Sequence, residues 1–323
     1  MRKGDVNMKQ EIYICGKKKS ELVKEIFSSL PPDFLEDVNA NISDIKTKYL
    51  DVPYCNLPDS KTLDIYLPDQ SEKPFPVLVF FFGGGFLFGD KRGTQLEIPL
   101  LARKLGFAIV SVNYTLSSEG EYPRLVYDVK SAIRYLRANA EQYGLDPEKI
   151  IAIGFSAGGT LAALLGTTSG VKELEELSFG NTDYPSDVQG VIDFCGPTNI
   201  LDIKDQMSEH ILKTGISPSL SYGNPDSIES LLFGALASDV PEKVQAFSPI
   251  THVNSNIPKF LIVHGVQDDS VPPQQSIELA KLIKEKAGKD KVELHILDDA
   301  GHCDEAFFKD AVPLMFNFLK KYI

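Results

Sequence analysis

Ser156 is the residue whose surroundings most plainly specify chemistry. It lies in I-I-A-I-G-F-S-A-G-G, residues 150–159, where an apolar β-branched run stops at a serine flanked by glycines. A strand that ends in G-x-S-x-G and passes directly into a helix holds the serine on a sharp turn, its hydroxyl lifted above the sheet edge. Gly154 and Gly158 suit that turn because close strand–helix contact leaves no room for a Cβ. A serine hydroxyl is a weak nucleophile at neutral pH. It needs a base within hydrogen-bond reach and a third group to orient that base, and the chemistry such a set performs is acyl transfer.

Five histidines are available as the base. His210 and His252 fall in or beside a polar stretch at 199–248, His295 lies within an apolar strand pattern, and His264 precedes a glycine at a strand end. His302, in D-D-A-G-H-C, directly follows the last expected strand. In a parallel sheet that loop shares the edge of the serine turn, which makes His302 the candidate base. The carboxylate should lie between serine and histidine in chain order. The segment H-G-V-Q-D-D-S-V-P offers Asp268 and Asp269; the residues alone do not choose between them, and Asp also begins turns without further duty.

Acyl transfer also needs N–H donors for the oxyanion. The amide of Ala157 is one candidate, and the loop Gly83-Gly84-Gly85, after a strand ending at Phe82, supplies the others. Phe86 and Phe88 are candidates for lining a substrate pocket, as are Tyr222, Met207 and Leu212 in the polar stretch, although such side chains more often belong to cores. Cys303, beside the candidate base, reads as a small packed side chain rather than a second nucleophile.

The elements that must position these groups are legible as alternating patterns. Segments at 45–55 and 61–67, separated by N-L-P-D-S, read as an antiparallel hairpin. Apolar runs at 75–82, 107–112, 149–153, 188–195, 260–264 and 292–297 read as buried strands, with helices between them at about 93–105 and from 125 to a stop at Gly144. Leu125, Val129, Ala132, Ile133 and Leu136 form one apolar stripe of the second helix. This alternation predicts an α/β fold: a mostly parallel central sheet with helices on both faces. Residues 199–248 interrupt it just after a strand's C-terminal end, where ligands bind such sheets, and read as an inserted helical lid. Residues 1–44 form an N-terminal segment with a helix over 20–30 that Pro31-Pro32 stops, and 45–323 form one catalytic domain. That helix is expected on the surface or over the mouth of the site.

Composition excludes several other classes. The net charge of −12 and the absence of a dense Lys/Arg cluster argue against a nucleic-acid partner. Cys15, Cys55, Cys195 and Cys303 lie far apart without C-x-x-C spacing, so no zinc site or disulfide framework is indicated, and a cytoplasmic protein is expected. The first residues carry charge without an apolar h-region, so no secretory signal is expected. The apolar runs at 75–89 and 150–166 are glycine-bearing and short of a membrane span. Oligomeric state is not legible.

Taken together, these residues resemble the α/β-hydrolase superfamily. More narrowly, they resemble carboxylesterases that include the hormone-sensitive-lipase-like enzymes and the bacterial acetyl- and feruloyl-esterase-like hydrolases, from about Asp44 to Phe318. Beyond G-F-S-A-G-G, the resemblance rests on S-V-N-Y, on Y-D-V-K-S-A-I-R-Y-L-R-A-N-A-E-Q-Y-G-L-D-P-E-K-I, on F-S-P-I-T-H-V and on H-G-V-Q-D-D-S-V-P. It implies an α/β-hydrolase fold and a triad of Ser156, His302 and Asp268, the acid four residues after the histidine of H-G-x-x-D, with His264 structural. It assigns the oxyanion donors to Gly83, Gly84 and Ala157 and a conformational role to Gly85. It implies a small-molecule ester substrate with a short acyl group, on carbohydrate or small aryl alcohols, and no cofactor or metal. An amidase or peptidase on the same triad, or a ligand-binding protein without turnover, are the alternatives. One departure stands out: Phe82 occupies the place of the histidine in the family's H-G-G-G. A phenyl ring can pack but cannot donate a hydrogen bond, so something else must hold that loop.

Overall fold

The apolar runs pair into one eight-stranded sheet. The structure, a computed structural model, describes residues 11–29, 39–57, 61–69 and 72–323. A short antiparallel pair, β1 (Tyr13–Ile14) and β2 (Lys17–Lys18), precedes helix α1 (Lys19–Ser29). Strands β3 (Lys48–Pro53), β4 (Thr62–Tyr66), β5 (Phe75–Phe81), β6 (Ala108–Val112), β7 (Leu145–Phe155), β8 (Gly190–Phe194), β9 (Lys259–Gly265) and β10 (Val292–Leu297) form the main sheet. Their order is β10-β9-β8-β7-β5-β6-β4-β3. The six strands from β10 to β6 pair in parallel, and β4 and β3 add antiparallel at one edge.

The remaining helices are α2 (Glu97–Leu100), α3 (Arg124–Ala138), α4 (Ala140–Tyr143), α5 (Ala157–Thr167), α6 (Ile203–Thr214), α7 (Ile228–Phe233), α8 (Pro241–Phe247), α9 (Gln274–Lys286) and α10 (Glu305–Leu319). The step from β5 to β6 runs one way along the sheet, and those from β6 to β7, β7 to β8 and β9 to β10 run the other. Right-handed crossovers therefore place α2 on one face and α3, α5 and α9 on the opposite face. Both faces are covered, so the central strands are apolar throughout: Ile151, Ala152 and Ile153 of β7 and Val79, Phe80 and Phe81 of β5 are fully buried.

The hairpin forms as β3 and β4 with Lys48 opposite Tyr66, while the turn residues 58–60 lie outside the described residues, as do Pro31-Pro32 and residues 1–10. Two helices differ from expectation. The stretch 94–105 is a series of short 3-10 and α segments around Pro99, whose missing N–H prevents a continuous ladder. The long helix ends at Ala138 and gives way to the single turn α4, and Gly144, at φ 71°, closes that turn instead.

α1 does not lie on open surface. Its Leu22 packs with Ile14, with Leu87 of the glycine loop and with Leu231 of α7, so the helix rests over the loop after β5 and over the 199–248 insertion. That insertion carries α6, α7 and α8 between β8 and β9. Among the described residues no helix is long and apolar enough to cross a membrane.

Candidate active site

Register decides what meets at the upper edge. Phe81 of β5 pairs with Gly154 of β7, which pairs with Asp193 of β8, so the glycine loop, Ser156 and Cys195 leave the sheet side by side. Leu297 at the end of β10 pairs with Gly265 at the end of β9, which brings the loops bearing His302 and Asp268 to the same edge. Close packing makes two glycines obligatory here. A Cβ on Gly154 would lie 1.9 Å from the carbonyl oxygen of Gly158, and one on Gly158 would lie 2.0 Å from that of Phe81.

Ser156 sits on the strained turn at φ 53° and ψ −121°, outside the conformations L-residues ordinarily adopt. Its amide donates to the Phe194 carbonyl at 2.7 Å, which anchors the turn to β8. Among the described residues, seven non-glycine residues have positive φ, and four of them, Phe86, Ser156, Cys195 and Cys303, surround this edge. Strain of about 1–3 kcal/mol at each is concentrated where side chains must be aimed.

His302 and Asp268 are joined. The imidazole Nδ1–H donates to Asp268 Oδ2 at 2.7 Å, which leaves Nε2 as the ring's basic atom. Asp268 is completely buried, and every lone pair it can offer is used. Oδ1 accepts from the amides of Ser270 at 2.9 Å and Val271 at 2.7 Å, and Oδ2 also lies 3.1 Å from His264 Nε2. Burial works against its charge, yet the two histidines hold the carboxyl well below the usual carboxylate range. For His302, burial would lower the imidazole, but the Asp268 charge outweighs it and pushes the base up to about 10.

His264, a strand-end residue by its sequence context, braces the acid. It is fully buried, with Nδ1 2.7 Å from Ser276 Oγ and Nε2 2.9 Å from the Val271 carbonyl, so it ties the acid to α9. Asp269 takes no part in this arrangement and bonds the hydroxyls of Ser219 and Ser270 instead. Among the described residues, no hydrogen bond joins Ser156 Oγ to His302, whose ring also faces the Cys195 thiol; catalytic contacts are often loose before substrate binds and tighten with it.

The glycine loop requires a correction. The amide of Gly83 does not face the site: it donates to the side-chain oxygen of Gln95 at 2.8 Å. Gly83 is therefore a braced residue, whereas the amides of Gly84, Gly85 and Ala157 make no hydrogen bond among the described residues. Ala157 opens α5, where the first amides have no partner within the helix. The absent histidine is replaced in three parts. The ring of Phe82 stacks on Tyr114 with centroids 4.5 Å apart, the Tyr114 hydroxyl donates to the Phe82 carbonyl at 2.9 Å, and Gln95 supplies the remaining bond. Tyr114 belongs to S-V-N-Y, but nothing local in the sequence marks Gln95.

A cleft opens onto Ser156 between this loop and the insertion. Phe86 and Tyr222 line it, together with Ile203, Ile228, Leu232 and Glu229. Phe88, Met207 and Leu212 do not: Phe88 packs on the α1 cluster, Met207 is buried elsewhere in α6, and Leu212 is 86% exposed on the far side of that helix. The Tyr222 hydroxyl donates to the Ser270 carbonyl, which ties the insertion to the loop of the acid.

Cys195, Asp268 and His302 bring one sulfur, one oxygen and one nitrogen within 4.8 Å of one another. Burial pushes the Cys195 thiol well above its usual value, with Cys303 alongside adding to the rise.

Comparison with known proteins places the chain. The family described as BD-FAE matches residues 63–283. Esterase LipQ of Mycobacterium tuberculosis is 31% identical over 78% of this chain and 56% of its own length. Esterase LipC of the same organism is 28% identical over 75% and 57% respectively, so the chain spans a little over half the length of these curated relatives. A solved structure described as a truncated form of carbohydrate esterase from gut microbiota superposes with a TM-score of 0.74 at 28% identity, covering 87% of this chain and 99% of that one.

Proposed function

The chain belongs to the BD-FAE family and has the α/β-hydrolase fold of carboxylesterases, and on that premise we propose that it is a serine hydrolase of short-chain carboxylic esters. The observation that carries the proposal is the shared sheet edge: a strained Ser156 at the floor of a cleft, with the bonded pair His302 and Asp268 on the neighbouring loops.

In this reading His302 Nε2 takes the proton of Ser156 Oγ as that oxygen attacks the ester carbonyl. Asp268 holds the ring in the tautomer that presents Nε2 and stabilises the imidazolium that forms. The negative oxygen of the tetrahedral intermediate rests on the amides of Gly84, Gly85 and Ala157, each worth about 3 kcal/mol of transition-state stabilisation. His302 then gives its proton to the departing alcohol. Water, deprotonated by the same nitrogen, releases the acid. Residues 45–323 act as the catalytic unit, and 199–248 serve as its lid, since side chains of that insertion from Ile200 to Leu232 line the cleft. An apolar cleft lined by Phe86 and Ile228 favours acetyl-sized acyl groups, and the carbohydrate esterase among the structural relatives supports carbohydrate alcohols, with small aryl alcohols kept beside them. Four free cysteines fit the reducing cytoplasm.

An organophosphate should add one phosphoryl group to the protein, mapped by mass spectrometry to Ser156, and should abolish hydrolysis of aryl acetates; Ser156→Ala should neither react nor turn over. Labelling elsewhere, an active Ser156→Ala, or faster hydrolysis of matched amides than of esters would overturn the proposal.

A further inference from the structure

Glu229 is the only carboxylate or cationic side chain, among the described residues, that lines the cleft leading to Ser156. It is 6% exposed, on the first turn of α7 in the insertion. One carboxylate oxygen is spent on the fold, since Oε1 accepts from the amide of Gly223 at 2.6 Å and so closes the loop before α7. The other is not, because Oε2 is buried without a hydrogen-bond partner among the described residues. The nearby Ser227 hydroxyl favours the carboxylate charge but donates to Ser230 Oγ at 3.0 Å, and it makes no hydrogen bond to Oε2. A capping role accounts for one oxygen only, and hydrophobic neighbours could have done the packing. Leaving a buried carboxylate oxygen unpaired costs free energy unless a partner arrives.

We propose that Glu229 is a recognition carboxylate: its free oxygen accepts a hydrogen bond from a donor group on the substrate, a hydroxyl or an ammonium, when the ester seats in the cleft. The inference rests on the ester-hydrolase reading and narrows its substrate class to esters bearing such a donor close to the reacting bond. The site fits this chemistry. The rest of the cleft is apolar save for Ser156 and Tyr222, and the Tyr222 hydroxyl is committed to the Ser270 carbonyl, so a substrate donor entering here has Glu229 as its acceptor. Burial raises the Glu229 carboxyl, while the Gly223 amide, the Ser227 hydroxyl, the residue's own amide and the charge of Lys204 pull it back, so both a polyol hydroxyl and a cation find an acceptor strengthened by low dielectric. A site built to bond a substrate hydroxyl rejects the analogue that lacks it, because binding that analogue leaves the acceptor unpaired.

The test compares matched esters in the full-length protein. The acyl arm uses 4-nitrophenyl butyrate and 3-hydroxybutyrate; the alcohol arm uses acetates of butanol, butane-1,4-diol and 4-aminobutanol. In at least one arm the donor-bearing ester should show a kcat/KM at least about tenfold above its plain partner. Glu229→Gln keeps an oxygen for Gly223 and Glu229→Ala does not; in both, that ratio should fall towards one. The arm that responds assigns the donor to the acyl or the alcohol side, and the diol and amine distinguish hydroxyl from ammonium. No preference in any arm of the parent, or a preference that survives both substitutions, would overturn the inference. A drop of equal factor for plain and donor-bearing esters would assign Glu229 to the loop alone and overturn it equally. Failure of the ester reading is separable: no ester in either arm would then be turned over and Ser156 would not be labelled.

Discussion

The two walls of the cleft are built on opposite principles. On the wall of the base, the acid and its brace are satisfied by the protein: Asp268 has two amides and two imidazoles, and His264 bonds at both nitrogens. On the facing wall, groups are held in place but left open: the amides of Gly84, Gly85 and Ala157 and Oε2 of Glu229 have no partner among the described residues. The loop carrying the open amides is itself firmly fixed, through Gln95 on Gly83 and Tyr114 on Phe82. Order on the first wall serves geometry, and order on the second serves a ligand. A saturated acid can only orient its neighbour, whereas a rigid open donor is preorganised for charge that arrives with the substrate.

Either wall can be dismantled by substitution. Asp268→Asn keeps the shape of the saturated wall but cannot favour the same imidazole tautomer, and kcat should fall by about 10⁴-fold; a loss of less than tenfold in aryl-ester kinetics would show that the acid does not orient His302. On the open wall, Gln95→Ala frees the Gly83 amide and lets the loop shift. Its kcat should drop by about ten- to a hundredfold with KM little changed, because misplaced donors are felt in the transition state. A change confined to KM would place Gln95 in substrate binding instead.

The pH profile reports on the saturated wall. Asp268 raises His302, the base works only when neutral, and protons lost as pH rises therefore increase activity. The acidic limb of kcat/KM should have its midpoint above the ordinary imidazole value of about 6.5, and in the residual activity of Asp268→Asn it should move down. A midpoint below pH 6 in the parent would contradict the coupling. Least of all should Leu212→Ser matter: with the side chain in solvent, thermal unfolding and kinetics should stay within about 0.5 kcal/mol of the parent.

Much of the candidate site is legible in the residues. Ser156 and His302 stand out because a strand-ending pattern marks each loop and a parallel sheet sends all such loops to one edge; the same rule brings Asp268 and Asp269 there together without choosing between them. Phe86 and Tyr222 reach the cleft, but Phe88 and Leu212 do not, since an aromatic or leucine reads alike whether it faces a cleft, another helix or water. Gly83 departs from its expected role as a donor because three consecutive glycines permit several orientations of their amides, and a side chain twelve residues away selects one.

The residue pattern alone specifies what local chemistry can encode: the alternation that builds the sheet, the glycines that the serine turn demands, and the chain order of the candidate nucleophile, acid and base. Which polar atoms are spent and which remain open is settled only in the folded chain. Gln95 bracing Gly83, Tyr114 holding Phe82, His264 locking the acid to α9 and Glu229 left with one bare oxygen are contacts between segments that folding brings together. A hydrogen bond depends on ångström positions that no residue pattern records.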